Sequence, residues 1–88
     1  MIAFRHIHIL PSYHSKTAVV QWDVDPKLKN AEFYIYKKQD GGQKWDLLNT
    51  EPVYGNIYLD TNFYSTNKLD VPHYRLLAID GDTEYESE

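Results

Sequence analysis

Apolar residues recur at every second position in short runs along this chain, and turn residues separate the runs. A period of two is the signature of β-strands that turn alternate side chains toward a core. The cleanest alternation lies in residues 16–24, KTAVVQWDV: Ala18, Val20, Trp22 and Val24 share one face, and Thr17, Val19, Gln21 and Asp23 the other. Asp25-Pro26 ends it, because proline has no N–H for a ladder. Residues 4–10, FRHIHIL, read as a first strand with Phe4, His6 and His8 on one face and Arg5, Ile7 and Ile9 on the other, stopped by Pro11-Ser12. Residues 32–38, EFYIYKK, put Phe33 and Ile35 on one side and Tyr34 and Tyr36 on the other, in a run of strong β-formers.

Asp40-Gly41-Gly42 signals a turn, so the chain is expected to reverse into Lys44-Trp45-Asp46-Leu47-Leu48. After a break at residues 49–52, residues 54–60 set Ile57 and Leu59 on one face and Tyr54, Asn56 and Tyr58 on the other. Residues 62–70 are polar and loop-like. Residues 72–79 form the next strand, with Tyr74, Leu76 and Ala78 on a common face. Asp80-Gly81-Asp82 turns the chain into a short last strand over residues 83–86. No helical pattern reaches three turns; residues 27–32 have room for a single turn. The pattern predicts an all-β, two-sheet antiparallel β-sandwich of six to seven strands.

A length of 88 residues allows one domain, here residues 1–88 with its core within about residues 4–86. Aromatics make up 15% of the chain, eight of them tyrosines, so a small core can be built from a few large side chains. The net charge of −4 is gathered at the end, in Asp80, Asp82, Glu84, Glu86 and Glu88, and Lys37-Lys38 is the only adjacent basic pair. A nucleic-acid surface needs a basic patch, so no nucleic-acid partner is expected. Lys37-Lys38 reads as the solvated end of a strand. Apolar runs such as Leu76-Leu77-Ala78-Ile79 stop at four residues, so no membrane-spanning helix is expected. The absence of cysteine favours a reducing compartment or assembly inside a cell.

Several of these segments together resemble the fibronectin type III domain, a seven-stranded sandwich related to the immunoglobulin fold. Trp22 sits where that family's second strand carries its core tryptophan. Phe33-Tyr34-Ile35-Tyr36-Lys37 is similar to its third strand, and Asp40-Gly41-Gly42 with Trp45 to the following hairpin. Tyr58-Leu59-Asp60-Thr61 resembles the family's Tyr-x-Asp-Thr strand, and Tyr74-Arg75-Leu76-Leu77-Ala78-Ile79-Asp80-Gly81 its sixth. The resemblance covers residues 4–86. Two departures stand out. The family's corner tyrosine falls at Pro72, so that hydrogen bond is lost and residues 61–71 are expected to be less firmly tied. The seventh strand is short, leaving the edge beside the sixth partly covered.

The candidate chemistry is sparse. His6 and His8 project on one face and have the spacing of a metal chelate, but a site needs further ligands from His14, His73 or a carboxylate. Asp80, Asp82 and Glu84 lack the ligand spacing of a calcium loop and read as a solvated edge. Ser12 and Ser15 flank His14 without the spatial order of a triad, and no glycine-rich phosphate loop is present. No enzyme activity, cofactor or bound metal is expected.

Tyr34, Tyr36, Tyr54 and Tyr58 face away from the expected core, and Tyr64 lies in a loop. Tyrosine suits interfaces because it joins a large apolar area to a polar tip; the alternative is that these rings cover their own sheets. The resemblance implies a non-enzymatic structural or adhesive module working through protein–protein contacts. Such domains occur in animal adhesion proteins, bacterial extracellular enzymes and bacteriophage virion proteins. The Met1 start with no export signal, the lack of cysteine and the small size lean toward the last group. The expectation is a virion component, or the first domain of one, assembled in the host cytoplasm with other protein subunits. The alternative is a carbohydrate- or receptor-binding accessory domain that stacks sugar rings on Trp45 and Tyr54.

Overall fold

The computed structural model describes residues 2–12, 14–38, 44–63 and 72–87. The turn expected at residues 40–42, Tyr64 and most of the segment before Pro72 lie outside these residues. The described chain forms seven strands: β1 (Phe4–Ser12), β2 (Thr17–Val24), β3 (Glu32–Lys38), β4 (Asp46–Leu47), β5 (Ile57–Asp60), β6 (His73–Asp80) and β7 (Thr83–Glu86). They build two antiparallel sheets, β1-β2-β5 and β4-β3-β6-β7, packed as a β-sandwich. The expected turn after Asp25 is a short 3₁₀ helix, Pro26–Leu28, whose cap is the Asp25 carboxylate accepting the Lys27 N–H at 3.0 Å.

The core lies where the alternation puts it. Val20 and Trp22 from β2 meet Phe33 and Ile35 from β3 and Leu76 and Ala78 from β6, all essentially buried, and Ala18 is buried on the same face of β2. Trp22 bridges the sheets, its ring 5.3 Å from Phe33, and Phe4 meets Phe33 edge-on at 6.3 Å. Buried aromatic pairs of this kind add to their large buried area, which is how so short a chain fills the space between two sheets.

Four expectations are corrected. Phe4 does not share a face with His6 and His8: the register shifts between Phe4 and His6, and this irregularity carries Phe4 inward beside Ile7 and Ile9. Pro11 and Ser12 do not stop β1, because β1 is a sheet edge, where a proline can be tolerated. β5 has the opposite phase from the expected one: Tyr58 and Asp60 point in, while Ile57 and Leu59 are 54% and 51% exposed. Lys37 is not solvated but 7% exposed, on the inward face it shares with Phe33 and Ile35.

β7 pairs along its whole length with β6, from Asp80↔Thr83 to Leu77↔Glu86. Ser87 extends the contact, giving its N–H to Leu76 O and accepting the Leu76 N–H on its Oγ at 2.8 Å. On the far side of β3, β4 pairs only with Tyr36 and Lys37. The edge between β4 and the isolated bridge Phe33↔Val53 is filled by a side chain. Asn49, 8% exposed, accepts the Ile35 N–H at 2.8 Å and donates to Phe33 O and Glu51 O, each at 2.9 Å. One amide thus replaces a stretch of strand.

Candidate functional site

Cross-strand pairs share a face, so the register defines what the four-stranded sheet turns outward. Four rows cross it. Lys38 pairs with His73, and Trp45 lies under the Lys38 ammonium. Leu47, Tyr36 and Arg75 form the second row, and Tyr34, Leu77 and Glu86 the third. Glu32, Ile79 and Glu84 form the fourth. Tyr54 joins this end, its hydroxyl 3.4 Å from Glu32 Oε1.

Three of the five tyrosines singled out from sequence therefore stand on one surface. Tyr34 and Tyr36 are half-buried along β3, and Tyr54 is 65% exposed at the rim. The neighbouring Glu32 charge is the main reason the Tyr54 phenol is held above its ordinary pKa, with desolvation secondary. Tyr58 sits apart, packed against the core and donating to Leu48 O at 3.2 Å. Its pKa is raised by burial first and by the Asp60 carboxylate second. Tyr64 lies outside the described residues.

Trp45 adds a fourth aromatic to the face. The Lys38 ammonium lies 4.9 Å and the Arg75 guanidinium 4.6 Å from its ring centroid. Both are at distances where a cation is drawn to an aromatic face. These cations hold the indole on the sheet and compete with any sugar ring seeking to stack there.

Among the described residues Lys37, Asp60 and Tyr74 form a polar cluster in the interior, and its geometry is that of a brace. Asp60 Oδ2 accepts from Lys37 Nζ at 2.9 Å and from the Tyr74 hydroxyl at 2.7 Å, and Oδ1 accepts the Asn62 N–H at 3.0 Å. Lys37 Nζ also donates to Asn62 O at 2.9 Å. Burial pushes the Asp60 pKa up, but the bonds from Tyr74, Lys37 and Asn62 and the Lys37 charge outweigh it, and the carboxyl ends below its ordinary range. The Tyr74 phenol is driven far up, by burial first and then by its bond to Asp60. Each polar group is satisfied by its neighbours, so the cluster offers no free nucleophile. Of the segment 61–71 expected to be less firmly tied, residues 61–63 are described and are held, by the Asp60 bonds and by the Phe63 N–H on Lys16 O at 3.0 Å with Phe63 1% exposed; residues 64–71 lie outside the described residues.

The other candidates separate in space. His6 and His8 do share a face, their rings stacked 6.0 Å apart. Among the described residues no group of three or more histidine, cysteine or acidic side chains is placed to hold a metal. Ser12, Ser15 and Thr17 bond one another through their hydroxyls in the exposed β1–β2 turn. An open groove runs between residues 2–7 and Glu86-Ser87, with Arg5, His6 and Glu86 on its walls. Among the described residues no helix is long and apolar enough to cross a membrane.

No family model, curated protein or solved structure matches the chain.

Proposed function

We propose that this chain is a non-enzymatic interaction module of the fibronectin type III kind, acting through the outer face of its four-stranded sheet. The observation that carries the proposal is the gathering of Tyr34, Tyr36, Trp45 and Tyr54 on that one surface. Strong β-formers on an outward face can serve their own sheet, but Tyr54 at 65% exposure contributes little burial where it stands. An aromatic strip with charged ends has the composition of a protein-binding surface. The fibronectin type III reading is supported by seven strands in sheets of three and four and by Trp22 at the centre of the core. Placement in a bacteriophage virion, beside other protein subunits, rests on the small size and the absence of cysteine.

A photo-reactive residue placed at Tyr36 tests this reading during particle assembly, with the same residue at Val19, on the opposite sheet, as the control. The expected result is that the chain sediments with particles and yields discrete protein adducts from position 36 and not from 19. Absence from particles contradicts the virion placement, and absence of adducts from position 36 contradicts the face. A second reading, carbohydrate binding, is favoured by the exposed Tyr54 ring beside the Glu32 carboxylate. It requires a glycan whose binding, followed by calorimetry, is lost in Tyr54→Ala, and no binding across a glycan panel removes it.

A further inference from the structure

The outer face of the four-stranded sheet is charged in opposite senses at its two ends. Where β3 finishes, the charged side chains are Lys38 and Arg75, gathered over Trp45. At the other end stand Glu32 on β3 and Glu84 on β7, both paired to Ile79, with Glu86 one row nearer the middle, paired to Leu77. Tyr34, Tyr36, Leu47 and Leu77 lie between them. We infer that this face binds a second copy of the chain, with the strands of the two sheets antiparallel, so that the basic end of each copy covers the acidic end of the other. The inference rests on the reading of this face as the interaction surface and names its partner.

Symmetry and charge select the arrangement. A two-fold dimer uses the same patch twice, so every contact between unlike residues occurs in duplicate. Turned antiparallel, Lys38 of one copy lies over Glu32 of the other, and Arg75 lies beside Glu84 and Glu86. Turned parallel, Lys38 and Arg75 would face their own counterparts, and like charges at an interface are strongly disfavoured. The aromatic centre then packs on itself, as tyrosine and tryptophan do in interface cores.

Size sets the strength. Seven residues of β3 span about 20 Å, and four strands about 5 Å apart span about 15 Å. The flat area is about 300 Å², well short of the roughly 800 Å² per partner of a standard stable complex. The dimer is therefore weak and transient, and it strengthens wherever other contacts hold copies close together.

Charge reversal tests the inference. The variant E84K/E86K makes the face wholly basic but for Glu32, and K38E/R75E makes it wholly acidic. Sedimentation equilibrium of the wild type, each variant and their equimolar mixture is run up to about 1 mM protein, at about 50 mM and about 500 mM salt. D23K, on the outer face of the other sheet, controls for net charge. The expected result is a wild-type dimer weakened about tenfold by the higher salt, monomers for both reversed variants, an unaffected D23K, and association restored in the mixture. A monomeric wild type at low salt, or an E84K/E86K dimer as strong as the wild type, overturns the inference. Should K38E/R75E lose its cooperative melt, E84K/E86K, altered only on the exposed edge strand, decides alone. Adducts from position 36 to a different protein, with no self-association, defeat the inference but leave the interaction face standing; loss of both defeats both.

Discussion

Lys37 and Asp60 meet at 2.9 Å across the interior of the sandwich, the first from the four-stranded sheet and the second from the three-stranded one. Their side chains are 9% and 4% exposed. A pair so far from water costs desolvation on both sides. It holds because Tyr74 and Asn62 complete the hydrogen bonding that the ion pair leaves open. The pair ties the two sheets, beside their apolar packing and the Tyr58 hydroxyl on Leu48 O, and it anchors the start of the segment that follows β5.

Removing one partner strands the other charge in the core. Asp60→Ala is expected to destabilise the domain by about 3–5 kcal/mol, a large part of a stability of about 5–10 kcal/mol for a chain this short. Lys37→Met/Asp60→Leu, which removes both charges, is expected to recover most of that loss. Urea denaturation of the two variants measures it; a cost below about 1 kcal/mol for Asp60→Ala would show that the brace carries no load.

The same carboxylate sets an acid limit. Its pKa in the folded state is lowered, so it adds stability above its unfolded value, 3.8, and loses it as the pH falls through the lower folded value. Asp60→Asn lacks this titration. The gap in melting temperature between wild type and Asp60→Asn is expected to be full near neutrality, to narrow below about pH 4, and to vanish once Asp60 is protonated in the folded state. A gap that stays constant down to about pH 2 contradicts the assignment.

Asn49 stands in for strand along β3, and its loss is local before it is global. Asn49→Ala leaves the Ile35 N–H and one contact of Phe33 O without their partner, at a cost of about 2–4 kcal/mol. Hydrogen exchange is expected to show the Ile35 amide opening ahead of the rest of β3. Unchanged protection at Ile35 would mean that the backbone closes the gap by itself.

Arg75 and Lys38 hold Trp45 on the face, each contributing about 0.5–1 kcal/mol. Arg75→Ala is expected to shift Trp45 emission to the red and raise its quenching by acrylamide, which is neutral and reports exposure alone. Trp22, at 1% exposure, stays dark to the quencher in either protein. Equal quenching of Arg75→Ala and wild type would free Trp45 from its cation.

The centre of the fold is more legible in the sequence than its rims. β2, β3 and β6 are interior strands of their sheets, and one face of each packs on the opposite sheet, so Trp22, Phe33, Leu76 and their period-two neighbours reveal their own direction. β5 is an edge strand with large side chains on both faces. Ile57-Tyr58-Leu59 satisfies either phase, and only the partnership of Asp60 with Lys37 decides which face turns in. The signal was present in parity: Lys37 continues the Phe33–Ile35 face, and a lysine carried inward demands a carboxylate. The displacement of Phe4 leaves no mark of that kind, because an irregular pairing is a relation between two strands. The outward grouping of Tyr34 and Tyr36 was legible from alternation. Their union with Trp45 and Tyr54 depends on how the chain returns beside β3, and no single-strand pattern encodes that.

Hydroxyl-radical footprinting of the isolated chain against the assembled one tests the proposal that the outer face of the four-stranded sheet is the working surface, because both sheets carry oxidisable probes. Tyr54, Leu47 and Trp45 report on one face; Leu10, Ile57 and Leu59 report on the other. Protection of the first set with the second unchanged is the expected result. Protection of Leu10, Ile57 and Leu59 while Tyr54 and Leu47 stay reactive would place the working surface on the three-stranded sheet instead.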